Sequence, residues 1–123
     1  GLGPDGGASW LLSRQVGYSK ALEIATSGEK IFGDECLKLG LTNKIVETNN
    51  ILSQAQKWAS KLAEKPTLAI GITKQDIFYS MNNDLKKTIA YEAQRQILAF
   101  GSHDLKEGVS AFIEKRKPNF LGK

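Results

Sequence analysis

The sequence of 123 residues holds one cysteine, Cys36, and one histidine, His103. A lone thiol excludes an internal disulfide framework and a multi-cysteine zinc site, and it fits a reducing compartment such as the cytoplasm. A lone histidine excludes a two-histidine metal site within one chain, and any Ser-His-Asp triad would have to use it. Arginine is scarce as well, limited to Arg14, Arg95 and Arg116. No apolar run approaches the roughly 20 residues that span a bilayer. The opening residues, GLGPDGG, have neither the basic nor the apolar stretch of a signal peptide. The first residue is Gly1 rather than Met, which leads us to expect a processed product or part of a longer chain. What is present is ordinary for one globular domain: 41% hydrophobic residues, 24% charged residues and a net charge of +4. A mild positive balance suits an anionic ligand without requiring one.

The pattern predicts a mostly helical chain of about seven helices. Gly1 to Gly7 form a loop. A helix opening at Ala8 stops at Gly17, and a second runs from Tyr18 to Thr26, with Ala21, Leu22 and Ala25 on one face and Gly28 as its stop. Asp34 to Leu39 forms a short helix capped by Asp34 and ended by Gly40. Lys30 to Phe32 is extended, and Asn43 to Glu47 reads as a short strand. Ile51, Leu52, Ala55, Trp58, Ala59 and Leu62 carry helical periodicity. Pro66 opens a helix whose buried side includes Leu68, Ile72 and Ile77. Leu85, Ile89, Ala93 and Ile97 recur at four-residue steps and predict a long helix from Asp84 to Phe100. Ser102 or Asp104 caps the last helix, with Leu105, Val109, Phe112 and Ile113 on one side and Pro118 as its stop.

Several local motifs admit chemistry. Gly1 to Gly6 matches G-x-G-x-x-G, but no strand precedes it and Pro4 removes an N–H, so a dinucleotide cradle is rejected. Asp5 lies between Pro4 and two glycines. In a closed apolar pocket its carboxyl would shift upward and move protons; otherwise it is a turn residue. His103 has no nucleophile motif beside it and reads as a solvent-facing capping turn. Cys36, Trp10 and Trp58 read as packing residues. Lys115-Arg116-Lys117 is either a solvated helix end or a phosphate contact with Phe112 alongside. Asp34 to Thr42 also resembles the first helix and turn of a helix-turn-helix. The recognition helix would then be Asn43 to Asn50, which has one lysine and no arginine and suits base readout poorly.

Four ordered segments carry a resemblance. Gly1-Leu2-Gly3-Pro4-Asp5-Gly6-Gly7 through Leu12, Gly17 to Glu23, Leu39 to Val46, and Ala111-Phe112-Ile113-Glu114-Lys115-Arg116-Lys117-Pro118-Asn119-Phe120 resemble successive motifs of the enoyl-CoA hydratase/isomerase (crotonase) superfamily. The Pro4 to Leu12 string is most similar to its phenylacetate-type branch. The resemblance implies a mainly α chain, the helical C-terminal portion of the ClpP/crotonase-like spiral fold, with the N-terminal ββα half and its oxyanion hole absent. It implies one helical region over 1–123: 1–48 as the end of the core segment and active-site wall, and 49–123 as trimerisation-type helices. The implied activity is hydration or double-bond isomerisation of an acyl-CoA thioester through an enolate, with this chain alone inactive. Asp5 matches a position that carries a catalytic aspartate in some members. Phe112 and Lys115 match positions that contact coenzyme A, often across a subunit boundary. The family needs no metal and no cofactor beyond the coenzyme A of its substrate. It forms trimers or dimers of trimers, and neither nucleic acid nor membrane is an expected partner. The alternative class is a non-enzymatic helical oligomerisation module. Either way, faces around Trp10 and Leu11 are expected to be uncovered.

Overall fold

Glycine stops and 3.6-residue periodicity place the helices where the computed structural model, which describes residues 1–123, has them. There are seven α-helices and no strand. The segment 43–47 is irregular and leads into a 3₁₀ turn, Thr48–Asn50. Its β-branched residues find no strand to pair with, so β-propensity alone produces no sheet. The same segment is not a recognition helix, which removes the helix-turn-helix reading. The chain divides into two compact units, 1–51 and 52–123.

In the first unit, α1 (Ala8–Val16) packs against α2 (Tyr18–Ser27). They are joined by Gly17 at φ 79°, ψ 164°, a conformation essentially reserved for glycine. Ala21 is buried between them, while Leu11 and Leu22 are half-exposed. Trp10 is partly buried, with the Arg14 guanidinium 3.9 Å from its ring centroid. Next comes α3 (Gly33–Lys38), whose N-cap is Phe32 rather than the expected Asp34. Asp34 and Glu35 instead occupy the first turn, where their charge complements the helix dipole. A Schellman turn closes α3: the Gly40 N–H donates to the Leu37 carbonyl (3.1 Å) and the Leu41 N–H to that of Cys36 (2.8 Å). The Gln15 amide of α1 donates to the Gly40 carbonyl at 2.7 Å, tying α1 to that turn. Cys36 is half-buried, its thiol facing the Ile31 carbonyl.

The second unit contains α4 (Ile51–Ala63), which begins at the boundary, then α5 (Thr67–Ser80), α6 (Leu85–Phe100) and α7 (His103–Ile113). Trp58 of α4, expected to pack, is 46% exposed. The N-cap of α6 is Asp84, which accepts the Lys87 N–H at 2.9 Å. α6 runs back along α5: Tyr79 stacks on Tyr91 with centroids 4.0 Å apart, and Arg95 donates to Gln75. The face of α6 turned inward therefore carries Thr88, Tyr91, Arg95 and Ala99. Its apolar ridge, Leu85, Ile89 and Ile97, is 55% exposed or more. On α5, Ile72 is buried as predicted but Ile77 is 60% exposed. Apolar residues of α5 are spread around the helix rather than gathered on one stripe, so its sequence does not choose one buried side. No helix is long and apolar enough to cross a membrane.

Candidate functional site

The sequence-predicted site residues fall in both units: Asp5 in the first, Phe112 and Lys115 in the second. Asp5 stands on the opening loop. Gly6 (φ 57°) and Gly7 (φ 86°) bring the chain round in the left-handed region, and the Asp5 carbonyl accepts the Ala8 N–H at 2.9 Å. The Asp5 side chain is exposed. An apolar groove of about 430 Å³ beside the loop is lined by Leu2, Pro4, Leu12, Tyr18, Ala21 and Leu22. Pro4 contributes to its wall and Asp5 does not, so no closed pocket surrounds the carboxylate within this unit.

The end of α7 is more elaborately built. Ser102 caps the helix, accepting the Leu105 N–H at 3.1 Å. Asp104 and Glu107 lie one turn apart, a spacing that puts both on one side of the helix. The chain after α7 folds back onto that side. Asp104, only 3% exposed, accepts the Leu121 N–H at 2.7 Å and the Gly122 N–H at 2.8 Å. Its own N–H donates to the Lys123 carbonyl at 3.1 Å. Burial pushes the Asp104 carboxyl up, but the two tail amides and neighbouring His103 outweigh that and hold it below the usual carboxylate range. His103 itself is half-exposed, its Nδ1 3.4 Å from Asp104 Oδ1.

Glu107 accepts two-pronged from the Arg116 guanidinium, at 2.6 and 2.9 Å, and accepts the Asn119 N–H at 2.7 Å. Arg116, followed by the Asn119 amide, holds the Glu107 carboxyl down at about 2, and the pair keeps Arg116 firmly charged. The helix ends in a second Schellman turn. The Lys115 N–H donates to the Phe112 carbonyl (3.3 Å) and the Arg116 N–H to that of Ala111 (3.0 Å). The left-handed position, occupied by Gly40 in the turn after α3, is here Lys115, at φ 54°.

Phe112 is 85% exposed and lines a groove of about 430 Å³ with Pro66, Leu68, Leu105, Val109 and Phe120. The three cations of the basic cluster differ in their pairing. Arg116 is held by Glu107 and Glu114, and Lys117 reaches Glu64 at 3.3 Å. Lys115 forms no ion pair. The structure thus brings Phe112 and Lys115 to one corner, with an exposed aromatic face, an uncommitted ammonium and an apolar groove. The sequence reading missed Glu107 altogether and weighed Asp104 only as a cap. The available signal was the Asp104–Glu107 spacing followed by a basic cluster. No group of three or more His, Cys, Asp or Glu residues is placed to hold a metal ion.

The chain belongs to the enoyl-CoA hydratase/isomerase family, whose family model matches residues 1–123. It is 37% identical to the 1,2-epoxyphenylacetyl-CoA isomerase of Escherichia coli (strain K12), over 100% of this chain and 47% of that protein. It is 34% identical to the crotonyl-CoA hydratase of Syntrophomonas wolfei, again over 100% of this chain and 47% of the relative. The crystal structure of an enoyl-CoA hydratase from Mycobacterium tuberculosis H37Rv superposes with a TM-score of 0.92 at 31% identity, covering 100% of this chain and 49% of that one. The chain spans about half the length of the curated relatives it matches, and its helices fit the helical C-terminal portion of their fold.

Proposed function

We propose that this chain contributes to an enzyme acting on acyl-CoA thioesters, one that hydrates a 2-enoyl-CoA or moves its double bond through a thioester enolate. The observation that carries this reading is Lys115, the member of the basic cluster left without an anionic partner, beside the exposed ring of Phe112. Coenzyme A offers what that corner lacks, phosphates for the ammonium and an adenine for the ring. In this reading Lys115 binds a phosphate, Phe112 takes the base and Asp5 transfers the proton. The oxyanion hole comes from outside these residues. Coenzyme A arrives as part of the substrate and no metal or redox cofactor takes part. The working form is a homo-oligomer in a reducing compartment, with neither nucleic acid nor membrane as a partner.

The direct test is equilibrium binding of coenzyme A to the chain. Lys115→Ala is expected to weaken it by about tenfold or more, the scale of one charge-assisted hydrogen bond. Affinity unchanged by that substitution would remove Lys115 from the site. In a protein of the relatives' full length, Asp5→Asn is expected to lower turnover by at least about 10²-fold, as for a general acid or base. Unchanged turnover would remove Asp5 from the chemistry. The exposed apolar ridge of α6 favours a second reading, a non-enzymatic self-association module. Self-association without any affinity for coenzyme A would support that one instead.

A further inference from the structure

Lys115 occupies a backbone conformation that a side-chain-bearing residue rarely adopts, and it is the only non-glycine residue with positive φ. Its turn requires the Arg116 N–H to point back at Ala111, a residue 1% exposed and fixed by its surroundings. An unrestrained helix end would relieve such strain by fraying. Here Glu107, nine residues before Arg116, prevents that. Its carboxylate grips the Arg116 guanidinium with both oxygens and also accepts the Asn119 N–H. One side chain therefore holds the side chain of the residue immediately after Lys115 and the backbone four residues beyond it. The Arg116 guanidinium also occupies Glu114 at 2.6 Å, which keeps the nearest carboxylate in sequence off the Lys115 ammonium.

We propose that Glu107 is a positioning residue for the Phe112–Lys115 corner: through Arg116 and Asn119 it locks the strained turn that presents Lys115 and leaves its ammonium uncommitted for a phosphate. The identity of that phosphate as coenzyme A rests on the acyl-CoA reading above; the geometry of the turn does not.

The experiment is a double-mutant cycle on the full chain, with coenzyme A affinity measured by titration calorimetry for wild type, Glu107→Ala, Lys115→Ala and the double variant. A positioning role predicts that Glu107→Ala weakens binding measurably, by up to the about tenfold or greater loss that Lys115→Ala itself causes. It also predicts that the double variant binds no more weakly than Lys115→Ala alone. Losses that multiply would overturn the proposal and leave Glu107 a residue of general stability. If affinity is indifferent to Lys115, the acyl-CoA reading fails, and amide exchange at Arg116 decides the role of Glu107 without a ligand. Exchange there should be at least about tenfold faster in Glu107→Ala, reporting an opened turn; an unchanged rate overturns the proposal. Should Glu107→Ala lose its helical circular dichroism, Arg116→Lys replaces it in both measurements, since it keeps the cation and loses the two-pronged contact.

Discussion

At the scale of single residues, the two Schellman turns form a natural comparison. Gly40 meets the left-handed requirement without strain, whereas Lys115 meets it against the clash of its own Cβ. Strain retained at a position that also carries an uncommitted charge is the pattern expected of a binding residue. Lys115→Gly should therefore be more stable than Lys115→Ala by about 1 kcal/mol in thermal unfolding, because only glycine relieves the clash. Both variants should lose coenzyme A affinity equally. Equal stability of the two would mean that the turn stores no strain. Legibility was uneven at this scale. Asp5 and the Lys115-Arg116-Lys117 cluster beside Phe112 drew notice from their neighbours in sequence, but the site roles of Asp5, Phe112 and Lys115 came from the family resemblance. Glu107 drew none, because its partners Arg116 and Asn119 reach it only after the chain has reversed.

At the scale of elements, helix positions were legible and helix orientations were not. Glycines, caps and four-residue spacing placed α6 correctly, but its apolar stripe points away from α5. The sequence carries two usable faces on that helix, and the Tyr79–Tyr91 stack, together with the Arg95–Gln75 contact, selects the polar one. The last helix depends on its cap. Ser102→Ala removes the acceptor for the Leu105 N–H and should destabilise the second unit by about 1 kcal/mol in denaturant titration. The tail behind α7 depends on pH. Glu107 and Asp104 both have folded carboxyls held below their unfolded values, so the unfolded chain takes up protons first. Their contribution is complete above the usual carboxylate range near about 4 and is lost as pH falls towards about 2. Protection of the Leu121 and Gly122 amides, taken relative to the intrinsic exchange rate at each pH, should fall across that window while that of α1 does not. Tail protection that is unchanged from neutral pH to pH 2 would contradict this.

At the scale of the whole molecule, burial is thin. Ala21, Ile72 and Ala111 are the buried hydrophobic residues, and each of the larger apolar side chains of α4 and α6 named above stands open. Leu52 is 70% exposed, Ile97 69% and Phe100 68%. Faces of this kind normally have a protein partner, and a second copy of the chain is the one we propose. Sedimentation across a concentration series should show self-association, and Ile89→Asp with Ile97→Asp should shift it towards monomer. Burying one such side chain is worth roughly 1.5–3 kcal/mol, enough for a readily measured change in dimer population. A clean monomer at every concentration would remove the oligomer from the proposal.

The grip of Asp104 on the tail has a consequence for how this sequence can vary. It recognises the amides of Leu121 and Gly122, not their side chains. The stretch from Arg116 to Gly122 therefore acts as a ruler fixed at both ends, by Glu107 and by Asp104. Changes of side chain at Leu121 leave its markings intact, whereas inserting or deleting a single residue puts every one of them out of step.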